Sequence, residues 1–65
     1  MDDINYSVIL MNKSMIYLES DSCPESSLDS KVENLAFALT EGSGKVKGEV
    51  YVYREGQREL YKKFS

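Results

Sequence analysis

The sequence predicts a two-layer α+β domain of order ββαββ, with one helix packed on an antiparallel four-stranded sheet. Three observations predict it. Two alternating segments flank a short polar break near the start, one apolar stripe of helical period fills the middle, and two further alternating segments surround a glycine-containing turn. A helix with one apolar stripe and a sheet with one apolar face close a core only against each other. The 65 residues form one domain, 1–65. At that length a single core is marginal, and association between chains is a common supplement.

Residues 1–3 are a short acidic lead expected to fray. Ile4–Met11 and Met15–Ser20 read as a hairpin around Asn12-Lys13-Ser14. A three-residue loop sets Leu10 opposite Ile16 and Val8 opposite Leu18, gathering apolar residues on one face. A two-residue loop would pair Leu10 with Met15 instead. In the first register Ile9, Met11, Met15 and Tyr17 share the other face.

Asp21–Ser27 is Ser-rich and contains Pro24, the composition of a loop. Leu28, Val32, Leu35, Ala36 and Leu39 then follow a 3.6-residue period. Ser30 with Glu33 has the spacing of a capping box, with Ser27 and Asp29 as earlier caps, and Gly42 suits the residue after the helix. Phe37 points away from the stripe, on the side of Glu33 and Glu41.

Lys45–Tyr53 and Arg58–Phe64 read as a second hairpin. Val46, Val50, Val52, Leu60 and Phe64 are all even-numbered, so an odd loop is needed to place them on one face. A three-residue loop ending at a left-handed Gly56 satisfies this. Lys45, Lys47, Glu49, Tyr51, Tyr53, Glu59, Tyr61 and Lys63 then face outward. The pattern leaves the strand order open.

The chain has no histidine and a single cysteine, Cys23. The commonest general base and metal ligand is therefore missing, and no intramolecular disulfide can form. No phosphate-loop, nucleophile-elbow or zinc-protease motif occurs. No catalytic residue, metal site or cofactor is expected. No apolar run approaches the roughly 20 residues of a membrane-spanning helix, and no basic segment precedes an apolar one as in a leader. The sequence reads as a complete small cytoplasmic protein that is not an enzyme.

Its distinctive property is a surplus of apolar residues. The strands carry them on both faces, and one helix can cover only one side. Ile9, Met11, Met15, Tyr17, Tyr51, Tyr53 and Tyr61, with Phe37 on the helix, are the candidate partner or dimer interface; Tyr and Met are enriched in interface cores. The charge of −3 is also split. Residues 1–42 hold eight acidic against two basic side chains, a net −6, and residues 43–65 hold six basic against three acidic, a net +3. Glu19, Asp21, Glu25, Asp29, Glu33 and Glu41 form a candidate acidic face able to compete for a basic groove.

The expected function is a small protein-interaction module, homodimeric, binding itself or another protein. Size, acidity and lack of histidine liken it to the inhibitors and accessory factors of phages and plasmids, an analogy of composition alone. The alternative is single-stranded nucleic-acid binding through Lys45, Lys47, Tyr51, Tyr53, Tyr61 and Lys63, rings stacking on bases and lysines following phosphates. Glu49 and Glu59 on the same face, and the acidity of the whole chain, weigh against it.

Overall fold

Four antiparallel strands and one helix occur in the order ββαββ, in a computed structural model that describes residues 3–40 and 45–65. The elements are β1 (Asp3–Met11), β2 (Ile16–Pro24), α1 (Glu25–Thr40), β3 (Lys47–Arg54) and β4 (Gln57–Phe64). The sheet order is β2-β1-β3-β4. The strand order left open by the pattern is thus resolved: the second hairpin joins beside β1. Because β1 is antiparallel to both neighbours, β2 and β3 run parallel with β1 between them, connected by α1.

Core content explains the order. The inward residues of β1, namely Ile4, Tyr6, Val8 and Leu10, are all buried, as are Val50 and Val52 of β3. Those two strands take the centre. The inward side of β2 offers Tyr17, Glu19, Asp21 and Cys23, and that of β4 offers Gln57, Glu59, Lys62 and Phe64, so these two go to the edges. Leu28, Val32, Ala36 and Leu39 of α1 are buried against the sheet, with Leu35 packed at the margin. The helical stripe is the one read from the sequence.

Several boundaries and both hairpin registers differ from expectation. Asp3 is not frayed; it pairs with Pro24. The Ser-rich stretch is no loop, since β2 continues through it. Cys23 is buried opposite Ile4, and Pro24 closes an edge strand, where a missing N–H is tolerated. The helix starts at the next residue, placing Ser27, Asp29, Ser30 and Glu33 inside it, so the capping box does not act as one. Glu25 in the first turn complements the helix dipole. Gly42 and Gly44 lie outside the described residues.

The first hairpin loop has four residues, 12–15, and Met11 pairs with Ile16. Asn12 makes this loop. Its Oδ1 accepts from the backbone N–H groups of Ser14 and Met15, at 2.8 and 2.9 Å, while its own N–H donates to the Met15 carbonyl at 3.0 Å. Leu10 therefore faces Tyr17, and Val8 faces Glu19. The shift by one residue exchanges the faces of β2: Tyr17 turns toward the helix, and Ile16 and Leu18 turn away.

The second hairpin turns on two residues, Glu55 and Gly56, with φ of 50° and 79°. Both left-handed values match the tight turn whose twist suits a hairpin. An even loop should scatter the even-numbered residues, but the register shifts between Val50 and Tyr51. Tyr51 faces Leu60 and Val50 faces Lys62, so Tyr61 is the extra residue of a β-bulge. Leu60 consequently points outward, against expectation, while Tyr61 packs against the core.

Gly48 is required by the close approach of β1 and β3. Its φ is 142°, and a Cβ there would stand 1.9 Å from the Ile9 carbonyl oxygen, a backbone atom. We expect Gly48→Ala to lower the unfolding free energy by about 3 kcal/mol or more, since both strain and strand displacement are demanded. Urea denaturation followed by circular dichroism measures this. Gly56 is the control, because a Cβ there would meet nothing within 4 Å. Gly56→Ala should cost only the left-handed backbone term, about 1–2 kcal/mol.

Candidate interaction surface

Among the described residues no layer covers the side of the sheet opposite α1, and the register assigns the residues of that side. Met11 lies between Ile16 and Lys47; Ile9 lies between Leu18 and Glu49, with Lys63 beyond. Ser7 lies between Ser20 and Tyr51, with Leu60 beyond; Asn5 lies between Ser22 and Tyr53, with Arg58 beyond. Three zones result. An apolar corner at the first hairpin combines Ile9 and Met11 with Ile16 and Leu18, which are 63% and 69% exposed, and Met15 in the loop, 49% exposed. A shallow polar hollow at the other end is lined by Asn5, Ser20, Ser22 and Tyr53, with Tyr6 and Asp21 of the inward side at its margin. The β3–β4 zone mixes Tyr51, Tyr53 and Leu60 with Lys47, Glu49, Arg58 and Lys63.

Two contacts fix the tyrosines. The Arg58 guanidinium sits 4.3 Å from the centre of the Tyr51 ring, a cation–π contact. The Tyr53 hydroxyl and Ser7 Oγ are 3.1 Å apart.

Ile9, Met11, Tyr51 and Tyr53 therefore lie on the outer side as expected, with Met15 at its rim. Tyr17 and Tyr61 do not: both pack beside the core on the helix side. Phe37 is 72% exposed but belongs to α1, outside this surface. Ile16, Leu18, Leu60 and Arg58 are added. The alternation within β2 could have named Ile16 and Leu18 as a pair, but not the side they take. Of the nucleic-acid set, Lys47, Tyr51, Tyr53 and Lys63 share the outer side, Lys45 is exposed ahead of β3, and Tyr61 is elsewhere.

The acidic residues do not form one face. Glu25, Asp29 and Glu33 line the flank of α1 toward the second hairpin, where bases meet them. Arg54 donates to both carboxylate oxygens of Glu25, at 2.5 and 3.2 Å, and Lys62 bonds to Glu33 with Asp29 at 4.0 Å. Two of the six bases of residues 43–65, Arg54 and Lys62, thus meet acids of the helix, although exposed pairs of this kind contribute little each. Arg54 draws the Glu25 carboxyl below its ordinary pKa. Asp21 lies on β2, and Glu41 lies outside the described residues.

Glu19 has a separate role. Tyr6 Oη donates to its Oε2 at 2.6 Å, Tyr17 Oη donates to its other oxygen, and Lys31 Nζ is 4.0 Å away. Tyr6 is fully buried, so this carboxylate supplies the acceptor its hydroxyl needs. Hydrogen bonds from Tyr17 and Tyr6 hold the Glu19 pKa below its ordinary value, while burial and the bond to Glu19 push that of Tyr6 up.

Among the described residues no group of three or more His, Cys, Asp or Glu could hold a metal ion, and no helix is long and apolar enough to cross a membrane. No protein-family model, curated protein or solved structure matches this chain.

The Glu19 cluster carries a pH signature. Its folded pKa is below the unfolded value near 4.5, so the folded chain binds fewer protons. Its contribution is complete above that value and is lost as pH falls through the lowered one. Tyr6 acts in the opposite sense, its contribution complete below about pH 10 and lost above it. We expect Glu19→Gln to flatten the acid limb of a stability–pH curve, and Glu19→Ala to cost about 1–3 kcal/mol at neutral pH by orphaning the Tyr6 hydroxyl. Denaturant titrations from pH 3 to about pH 8 check both.

Proposed function

We propose that the chain is a small non-catalytic protein-interaction module, homodimeric and cytoplasmic, that acts as an inhibitor or accessory factor of a larger macromolecular assembly. One observation carries this reading: the apolar corner of Ile9, Met11, Met15, Ile16 and Leu18 stands on the side of the sheet that the helix leaves uncovered. Six large side chains of the outer side and its rim are exposed: Met11, Met15, Ile16, Leu18, Tyr53 and Leu60. At about 1.5–3 kcal/mol each, covering them gives a gross upper bound of about 9–18 kcal/mol. The cost of association is about 4–15 kcal/mol, so the gross term is of the same size as that cost.

A non-catalytic role fits the chemistry of the one distinctive carboxylate. Glu19 is committed to two tyrosine hydroxyls, and its lowered pKa makes it a poor general base at neutral pH. The single thiol, Cys23, is buried in the core rather than presented to solvent, which suits a reducing compartment.

Sedimentation equilibrium tests the self-association. We expect a monomer–dimer equilibrium that persists in about 1 M salt, where charge contacts are screened beyond about 3 Å. Ile16→Lys with Leu18→Lys should shift it to monomer without changing the circular dichroism spectrum. A dimer unaffected by that pair would remove the apolar corner from the contact.

Single-stranded nucleic-acid binding is the runner-up, supported by Lys47, Tyr51, Tyr53, Arg58 and Lys63 on one side of β3 and β4. Arg58 already occupies the Tyr51 ring, so a base would have to displace it. Absence of tyrosine quenching by an oligonucleotide at ~50 mM salt, where such binding is strongest, eliminates it.

A further inference from the structure

The two edges of the sheet are protected unequally. β4 carries Arg58, Lys62 and Lys63 and is broken by the bulge at Tyr61, devices that discourage pairing with another strand. β2 runs nine residues without lysine, arginine or a register shift against β1, and its proline stands only at the end. The bond from the Asn12 N–H to the Met15 carbonyl fixes the phase of the ladder, so Tyr17, Glu19 and Asp21 turn their peptide groups toward β1. Ile16, Leu18, Ser20 and Ser22 turn theirs outward. The outward N–H of Ser22 is already taken by Asp21 Oδ1 at 2.8 Å. The open edge therefore runs from Ile16 to Ser20, and its two sides differ in chemistry. On the uncovered side stand Ile16 and Leu18, both exposed. On the helix side Glu19 is committed to Tyr6 and Tyr17, while Asp21 is exposed and forms no ion pair among the described residues.

We propose that the β2 edge takes an extended segment of a different protein as a fifth, antiparallel strand, with apolar side chains opposite Ile16 and Leu18 and a lysine or arginine opposite Asp21. This rests on the protein-interaction reading above and specifies a partner for it. The open peptide groups and the exposed aliphatics belong to the same residues, and an extended strand meets both at once. A helix or a stacked layer covers the side chains but leaves the peptide groups unpaired. Antiparallel addition lets Ile16, Leu18 and Ser20 each exchange both backbone bonds with the residue opposite. The charge excludes β2 of a second copy as the complement, because that strand has no base to meet Asp21 in any register.

The probe is the synthetic peptide acetyl-Thr-Lys-Thr-Thr-Val-Thr-Val-amide, whose valines fall opposite Leu18 and Ile16 and whose lysine falls opposite Asp21. Amide chemical shifts of the full chain are titrated with up to ~1 mM peptide, plain and in two N-methylated forms. Methyl groups on the two valine nitrogens remove donors aimed at β2. Methyl groups on the threonine nitrogens opposite Glu19 and Tyr17 point away from it. We expect the plain peptide to shift the Ile16, Leu18 and Ser20 amides. The valine-methylated form should bind about tenfold more weakly, and the threonine-methylated form within about threefold of the plain peptide. Asp21→Lys should weaken binding about threefold, and replacing the peptide's lysine by glutamate should restore it. Equal loss from both methylated forms, or loss from neither, overturns strand addition. Binding unmoved by Asp21→Lys overturns the basic residue of the partner. No binding at ~1 mM peptide overturns the whole proposal, while self-association through the apolar corner, read by sedimentation, stands or falls separately.

Discussion

Asn12 decides which side of β2 faces the helix, and the character of both sheet surfaces follows from that. Its side chain takes the place of a backbone carbonyl by accepting from Ser14 and Met15, which closes a four-residue loop. Its amide nitrogen donates to the Leu39 carbonyl at 2.9 Å, tying the same loop to the end of α1. One residue fewer in the loop would turn Ile16 and Leu18 into the core and push Tyr17 and Glu19 out. The molecule would then have a better-filled edge and a more polar back. Instead it places two aliphatic side chains in solvent and a carboxylate under the helix margin.

That arrangement is tolerable only because the inward polar groups are satisfied. Glu19 is shared by Tyr6 and Tyr17 and lies near Lys31, whose ammonium is also 5.7 Å from the centre of the Tyr6 ring. Among the described residues no buried side-chain polar atom lacks a partner. On the opposite margin Lys62 serves Glu33 and Asp29, and Tyr61, added by the bulge, lies 3.5 Å from Asp29. The core is therefore a narrow apolar strip over β1 and β3, flanked on each side by a polar seam. Such seams hold the helix in place laterally, while the apolar strip supplies the main driving force.

The element order, the helical stripe and the inward sides of β1 and β3 are legible in the sequence because each depends on a local period alone. β2 is not, because its alternation is equally consistent with two loop lengths. Apolarity favours Ile16 and Leu18 inward, and the choice against it comes from a side chain-to-backbone substitution at Asn12 that no period reveals. β4 is obscured for a related reason. A glutamate at the first left-handed turn position is not the usual residue there, and the bulge that rescues Lys62 and Phe64 for the inner side leaves no compositional mark. Gly48 is legible in principle: an isolated glycine inside a strand pattern signals close backbone approach. The apolar surplus itself is visible in the sequence, but which residues expose it depends on the two registers.

The position of the apolar corner bears on how it can be covered. A patch at the middle of a sheet can be sheltered only by another layer, which must match its shape over a broad area. Here the most exposed members, Ile16 and Leu18, belong to an edge strand whose alternate peptide groups have no strand beside them. Extending the sheet satisfies those groups and flanks both side chains in a single step, whereas stacking a layer leaves the edge open. Edge addition also leaves Tyr51, Tyr53 and Leu60 free. One strand can thereby hold an extended partner while the rest of the uncovered side remains available for another contact.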